Sequence, residues 1–358
     1  MNPSYNYIHP KFKFSGFHYD WMDLKELAYS LVKEGKDYEK SIGNFLMDWL
    51  DDSDSLIVHT SGSTGIPKAI VLKKEHMVNS ALATGAFIKM GPGTKALQCL
   101  SADHIAGKMM LVRAMVLGWE IDLVEPSSNP LQFISKHYDF VAMVPMQVQA
   151  SIPYLNQIGT LIIGGAPISP ELKLDLNNVD TRIFETYGMT ETITHIAVKE
   201  LAKGSEDFNF KSLPDVVLSK DHRDCLVIKA PKVSDTVIVT NDLVNLISST
   251  EFKWLGRYDN VINSGGVKII PELLENKLSS LIKSRFFVAG IPDPNLGQKL
   301  ILLVEGNEDE NQLSQDIKSL NTISKYEIPK EIFSVPQFVE TGSGKVNRNE
   351  TLGLLNLD

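Results

Sequence analysis

Between Ser55 and Thr186 short apolar segments alternate with longer amphipathic ones, and this rhythm limits the chain to few architectures. Ser55–Thr60, Ala69–Leu72, Lys95–Leu100, Ile121–Val124, Phe140–Val144, Thr160–Gly164 and Arg182–Thr186 have strand character, and Glu75–Lys89 and Gly107–Leu117 have helical spacing. Strands alternating with helices imply an α/β layer around a mostly parallel sheet. Ahead of it, Trp21–Lys33 and Tyr38–Leu50 read as two amphipathic helices. Near Gly256 a second texture begins, in the order strand, helix, strand, strand, helix, strand. Pro271 suits a first helical position, and Leu274, Leu278, Leu281 and Ile282 come after it at i, i+4, i+7 and i+8. Strands at Phe286–Ile291 and Lys299–Val304 and a polar helix over Asp309–Leu320 complete a small α+β unit. The expectation is a large α/β domain with layered sheets over 1–256 and a small α+β domain over 257–358, divided within Trp254–Asp259.

The length of 358 residues fits two domains. Apolar residues at 43% and charged residues at 22% exclude wholesale disorder. Lys and Arg number 35 against 44 Asp and Glu, a net charge of −9, which argues against general nucleic-acid binding. Apolar runs such as Leu161–Ile163 and Phe140–Val144 are far too short to span a bilayer. The first residues, Met1 to Phe14, lack the apolar centre of a signal peptide. Cys99 and Cys225 lie far apart and form no metal or disulfide framework. A cytoplasmic enzyme acting on a small molecule is the expectation that remains.

The segment Thr60-Ser61-Gly62-Ser63-Thr64-Gly65-Ile66-Pro67-Lys68 carries the strongest local signal. Glycines let a backbone approach a ligand and turn its N–H groups inward, hydroxyls add donors, and Lys68 adds a charge, which together suit a polyphosphate. A plain surface hairpin is the alternative for such a Gly/Ser turn. It is not a Walker A loop. Counted from Gly62, the second glycine position falls on Pro67, and Ala69 stands where a hydroxyl is required. The run Ala69–Leu72 is strand-like rather than helical, so no helix terminus faces the phosphates.

The segment resembles the signature loop of the adenylate-forming superfamily of acyl-CoA synthetases, luciferases and peptide-synthetase adenylation domains. Further resemblances occur in order along the chain. His104, in Asp103-His104-Ile105-Ala106-Gly107, stands where the superfamily carries an aromatic residue or His at the acyl site. Gly164-Gly165-Ala166-Pro167 is similar to the loop along the adenine and acyl group, and Tyr187-Gly188-Met189-Thr190-Glu191-Thr192 to the adenylate motif. Thr240-Asn241-Asp242 stands in place of Thr-Gly-Asp. Gly256-Arg257-Tyr258-Asp259 with Ser264-Gly265-Gly266 resembles the hinge motif, and Thr341-Gly342-Ser343-Gly344-Lys345 the C-terminal lysine motif.

The resemblance implies two half-reactions: a carboxylate attacks the α-phosphate of ATP to give an acyl-adenylate, then a thiol displaces AMP. A carboxylate is already ionised at neutral pH, so no general base is needed and the task is electrostatic. By resemblance Thr60, Ser61, Gly62, Ser63, Thr64, Gly65 and Lys68 would hold the β- and γ-phosphates. Gly164, Gly165, Ala166, Tyr187 and Gly188 would line the adenine, Asp242 would accept from the ribose hydroxyls, and Arg257 would lie nearby. Thr190 would touch the α-phosphate, Glu191 would help hold Mg²⁺, and Lys345 would bridge carboxylate and α-phosphate. Asp259 would be the hinge of a rotating small domain, and Ser264, Gly265 and Gly266 would line the path of coenzyme A. Taken singly, each has a plainer reading: a solvated lysine for Lys345, a helix-start acid for Glu191, a core residue for Tyr187, a turn residue for Asp242.

Within the superfamily, His104-Ile105-Ala106-Gly107 with Arg113, and Tyr187 to His195, are most like the o-succinylbenzoate–CoA ligases of menaquinone synthesis. That acid has two carboxylates, so the one not activated needs a cation, Arg113 or Lys108; the two do not share a helix face well. His104, Gly165 and Thr192 complete the implied acyl site. Another aryl- or acyl-CoA ligase, an enzyme loading a carrier protein and a non-catalytic nucleotide-binding relative stay open. Two positions depart from the superfamily pattern, Asn241 for glycine and Asn263 for lysine. Only about fifty-nine residues precede Thr60, few for this superfamily. The expectation is a large domain shortened at its front, its surface closed by the first two helices or by a second copy in a homodimer.

Overall fold

The computed structural model describes residues 3–60, 68–201, 209–340 and 346–355. Ser61 to Gly65 and Lys345 therefore lie outside the described residues. The alternating segments do form a parallel sheet. Lys95–Gln98 lies between Glu120–Leu123 and Tyr138–Met143, followed outward by Ile158–Ile163 and Arg182–Gly188, all parallel. Successive side chains serve opposite faces. Ala96, Phe140, Ala142, Ile162 and Phe184 enter one core, and Leu97, Val141, Met143, Leu161 and Ile183 enter the other. Both faces are covered, which is why these strands read as near-continuous apolar runs.

The parallel reading holds only for this half. From Arg182–Gly188 onward the sheet continues antiparallel through His195–Glu200, Phe210–Ser212, Glu251–Arg257, Ile238–Ser248, Cys225–Lys229 and Val217–Lys220. Hairpin connections need no helices, so this half lacked the alternation that marks the first. Ser55–Thr60 and Lys68–Lys73 pair antiparallel as a separate ribbon, and the glycine- and serine-rich segment joins its two strands, as expected.

Helices α1 (Trp21–Glu34), α2 (Asp37–Trp49), α3 (Lys74–Ile88) and α4 (Ile105–Leu117) share one core with the sheet. Asp20 caps α1, its carboxylate accepting from the Met22 and Asp23 N–H groups at 2.8 and 2.9 Å. In α4 the run Met109 to Val116 is buried throughout, so this helix needs a layer on its far side. Phe45 of α2 supplies part of that layer beneath Lys108. Leu24, Ala28, Ile42, Phe45, Leu46 and Trp49 of the first two helices are buried in the same core.

The chain leaves the large sheet at Arg257, passes through a short 3₁₀ turn over Tyr258–Asn260 and enters a second sheet at Ile262. There a hairpin of Ile262–Ser264 and Val267–Ile269 comes first, one strand more than the expected order. Helix Pro271–Leu278, strands Phe286–Asp293 and Gly297–Glu305, helix Glu310–Ser319 and strand Glu331–Val335 come next. Among the described residues no helix is long and apolar enough to cross a membrane.

Helices α1 and α2 meet at Gly43, where a Cβ would lie 2.8 Å from the Ala28 carbonyl oxygen and 2.9 Å from the Val32 backbone nitrogen. Gly43→Leu should force the pair apart and cost about 1–3 kcal/mol of stability, read from urea unfolding. Unchanged stability would show that the helix pair is loosely packed.

Candidate active site

In an open parallel sheet ligands bind beyond the carboxyl ends of the strands, where the connections diverge to either side. Here the chain leaves Lys95–Gln98 for Glu120–Leu123 on one side and then Tyr138–Met143 on the other. The resemblance-derived residues collect at those carboxyl ends. His104, exposed, starts α4 after the first of these strands. Gly164 and Gly165 come after Ile158–Ile163, and Thr190 and Glu191 after Arg182–Gly188, with Glu191 exposed. Strand Lys68–Lys73 lies against the Thr190–Thr192 turn.

The glycines here have physical reasons. A Cβ on Gly164 would stand 2.5 Å from Thr186 Oγ1, and one on Gly188 would stand 2.1 Å from the Thr194 carbonyl oxygen. Gly165 has φ +84°, the left-handed region that glycine occupies without strain.

Asp242 is the best-held carboxylate of the site. It is 6% exposed, yet one oxygen accepts from the Tyr187 hydroxyl at 2.6 Å and the other from the Trp254 indole N–H at 3.1 Å. Arg257 Nη1 lies 3.6 Å from the latter oxygen. A carboxylate has about four lone-pair positions, so both oxygens keep capacity to accept from a ligand diol. Burial, and then the Asp242 charge, pushes the Tyr187 phenol far above its ordinary value, so it remains a donor. Its ring packs edge-on to Phe252 at 5.1 Å between centroids, and Phe210 lies beyond. The plainer reading of Tyr187 as a core residue is thus half right: the ring serves the core and the hydroxyl serves Asp242.

Trp254 escaped the sequence reading. The hairpin of Ile238–Ser248 and Glu251–Arg257 pairs Asp242 with Arg257 but Val244 with Trp254, because its register slips between Leu243 and Val244. That irregularity makes Trp254 a diagonal neighbour of Asp242. A Thr-x-Asp followed twelve residues later by Trp was the available signal.

Two acyl-site expectations need correction. Thr192 is fully buried, and its hydroxyl accepts from the Met189 N–H at 2.9 Å and lies 2.9 and 2.7 Å from the Met189 and Thr194 carbonyl oxygens. Its capacity is used in holding the turn, so it presents nothing to an acid. Lys108 turns toward α2, with its ammonium 5.3 Å over the Phe45 ring, and burial lowers its pKa. Of the two cations on α4, Arg113 is the one turned inward. It is 2% exposed, its Nη2 lies 3.4 Å from Thr194 Oγ1 and its Nη1 3.7 Å from Met110 Sδ. Its Nε has no partner, and among the described residues it forms no ion pair. Burial lowers its pKa to about 10, so it is still charged at neutral pH.

Thr194 is set by a strained turn. Ile193 has φ +65° and ψ −65°, and the Thr194 N–H donates to the Thr192 carbonyl oxygen at 2.8 Å, the rare form of γ-turn. Ser80 Oγ lies 3.0 Å from Thr194 Oγ1, and the next residue, His195, lies 3.2 Å from Thr84 Oγ1 through Nε2.

Gly265 and Gly266, at φ +59° and +81°, form the two-residue turn of the hairpin in the small sheet. Ser264 pairs with Gly297 there. Asp259 lies in the 3₁₀ turn between the sheets and is exposed. Among the described residues no three His, Cys, Asp or Glu side chains cluster to hold a metal. The single exposed carboxylate of Glu191 is a donor that fits a hard cation taking most of its ligands from elsewhere.

A family model described as AMP-binding enzyme matches residues 22–215. A 2-succinylbenzoate–CoA ligase of Enterococcus faecalis is 23% identical over 337 residues, covering 83% of this chain and 69% of the relative. A solved acyl-CoA synthetase (AMP-forming)/AMP-acid ligase II-like protein from Dyadobacter fermentans is 37% identical, with a TM-score of 0.61, and the match covers 93% of this chain and 98% of that one. The o-succinylbenzoate CoA synthetase of Bacillus subtilis, solved with its acyl-adenylate intermediate, shares the fold at a TM-score of 0.71 and 22% identity, covering 82% of this chain and 68% of that one.

His195 gives a test of the buried cluster. Burial and the Arg113 charge lower its pKa to about 3 from 6.5. The unfolded chain takes up this proton near 6.5 and the folded chain only near 3, so stability present above 6.5 is lost as pH falls between those values. Urea unfolding at about pH 7 and about pH 5 should therefore show His195→Asn losing roughly 2 kcal/mol less than wild type over that interval. Equal losses would place the imidazole in contact with solvent.

Proposed function

The chain belongs to the AMP-binding enzyme family, and from that premise we propose that it is an AMP-forming acid–CoA ligase whose acid is o-succinylbenzoate. The observation that carries the choice of acid is Arg113. A guanidinium buried without a carboxylate partner is costly, and a second carboxylate on the substrate offsets that cost. A monocarboxylic fatty acid would leave the charge unpaired.

In this reading the ribose of ATP rests on Asp242, held by Tyr187 and Trp254, and the adenine lies along Gly164, Gly165, Ala166 and Tyr187. Thr60 to Gly65 and Lys68 hold the β- and γ-phosphates. The acid lies between His104, Gly165 and Arg113. Its carboxylate oxygen attacks the α-phosphorus as the bond to the β-phosphate oxygen breaks, and pyrophosphate leaves. Thr190 orients the α-phosphate and Lys345 draws the two anions together; both act by placing charge. Glu191 would help to hold Mg²⁺, whose charge would offset that of the phosphates. The sulfur of coenzyme A then attacks the acyl carbon, the bond to the AMP oxygen breaks, and the thiol proton passes to solvent. Residues 1–256 form the adenylating domain and 257–358 a mobile lid that turns about Asp259, with Ser264, Gly265 and Gly266 beside the thiol. Menaquinone synthesis in the cytoplasm is the setting this substrate gives.

Pyrophosphate release from ATP and Mg²⁺ should be fastest with o-succinylbenzoate in a panel of carboxylic acids, and a thioester should form only when coenzyme A is added. Release with no acid in the panel would end the ligase reading. Arg113→Met should raise KM for o-succinylbenzoate at least about tenfold, the scale of one charged hydrogen bond, with little change for benzoate. Equal effects on both acids would remove the dicarboxylate assignment.

A further inference from the structure

Asn241, where the family pattern has glycine, does something that a glycine cannot. Its Nδ2 donates to both oxygens of Asp259, at 3.3 and 3.2 Å, and its Oδ1 accepts from Arg223 Nη1 at 2.9 Å. The orientation of the amide is fixed by chemistry. Arg223 can only donate and the Asp259 carboxylate can only accept, so the amide oxygen must face the first and the nitrogen the second.

The neighbours make this contact part of a chain. Arg223 is anchored by Asp221, whose Oδ2 accepts from Nε at 2.8 Å, and by the Thr240 carbonyl oxygen at 3.1 Å. Its guanidinium also sits 5.1 Å over the Tyr258 ring. Asp259 receives Arg257 Nη2 at 3.1 Å, while Nη1 of the same guanidinium lies 3.6 Å from Asp242. Charges therefore alternate from Asp221 through Arg223, Asp259 and Arg257 to Asp242. Asn241 is the neutral link between the first pair and the rest. Tyr258 and Asp259 belong to the turn by which the chain leaves one sheet and enters the other. In that turn the Val261 N–H donates to the Tyr258 carbonyl oxygen at 3.2 Å, and Asn260 Nδ2 donates to Glu272 Oε1 at 2.6 Å.

We propose that Asn241 is a positioning residue that ties the inter-sheet turn to the nucleotide carboxylate. By holding Asp259 it sets where Arg257 stands against Asp242, so the turn's conformation and nucleotide binding are coupled through one amide. The role given to Asp242 rests on the proposed function; the hold on the turn does not.

Three variants test this. Asn241→Gly removes the link, Asn241→Asp places a carboxylate against Asp259, and Asn241→Gln keeps the amide on a longer stem. In the unliganded protein, hydrogen exchange over residues 258–261 should quicken roughly three- to tenfold in Asn241→Gly, and more in Asn241→Asp, whose excess should shrink as salt rises. KM for ATP should rise in the same order, with KM for the acid unchanged and partial recovery in Asn241→Gln. Exchange and KM for ATP equal to wild type in both Asn241→Gly and Asn241→Asp would overturn the proposal. Faster exchange with unchanged KM for ATP would overturn the coupling while leaving the hold. Ligase inactivity of the wild type would remove the proposed function but not the exchange result.

Discussion

One side-chain hydrogen bond spans the two halves of the large sheet, beside the ladder that makes them continuous. Tyr187 stands at the end of the last parallel strand, and Asp242 lies in the antiparallel half. The 2.6 Å bond between them fixes a buried carboxylate beside the loops at the carboxyl ends of the parallel strands. Without it Asp242 would be a nearly buried anion with the Trp254 N–H as its remaining close donor, and such groups are expensive unless paired. Much else around the site depends on this bond. Gly188 keeps its two strands close, and the aromatic packing of Phe210 and Phe252 steadies the Tyr187 ring.

A second constraint is opposite in kind. Asp242 is satisfied by protein donors, whereas Arg113 is held back from full satisfaction, with Thr194 and a methionine sulfur as its side-chain partners. The strain at Ile193 brings Thr194 to it. Conformational strain together with an incompletely paired buried cation is what a site prepared for an anion requires. The chain meets Asp242 through Tyr187, just before the Thr190–Thr192 turn, and Arg113 through Thr194, just after it.

Much of this was legible in the sequence because it is local. Alternation gave the parallel strands, proline gave the start of the helix at Pro271, and ordered short motifs gave the residues that gather at the carboxyl ends of the strands. What was missed depends on pairing between distant strands. The antiparallel half has no helices to mark its strands. Trp254 reaches Asp242 only through a register slip. Arg223 reaches Asn241 from eighteen residues away. Thr192 and Lys108 were misplaced because a motif does not reveal which side of a turn or helix a side chain takes. In the sequence Asn241 is only a departure from a motif, and its amide makes contacts that a glycine could not.

The central claim is that Asp242, held by Tyr187 and Trp254, is the receptor for a nucleotide ribose. Calorimetric binding of ATP and of 2′,3′-dideoxy-ATP to wild type and Asp242→Asn tests it most directly. Wild type should prefer ATP by about tenfold or more, the scale of hydrogen bonds to a charged acceptor, and the variant should bind both nucleotides alike. A variant that kept the full preference for ATP would contradict the account.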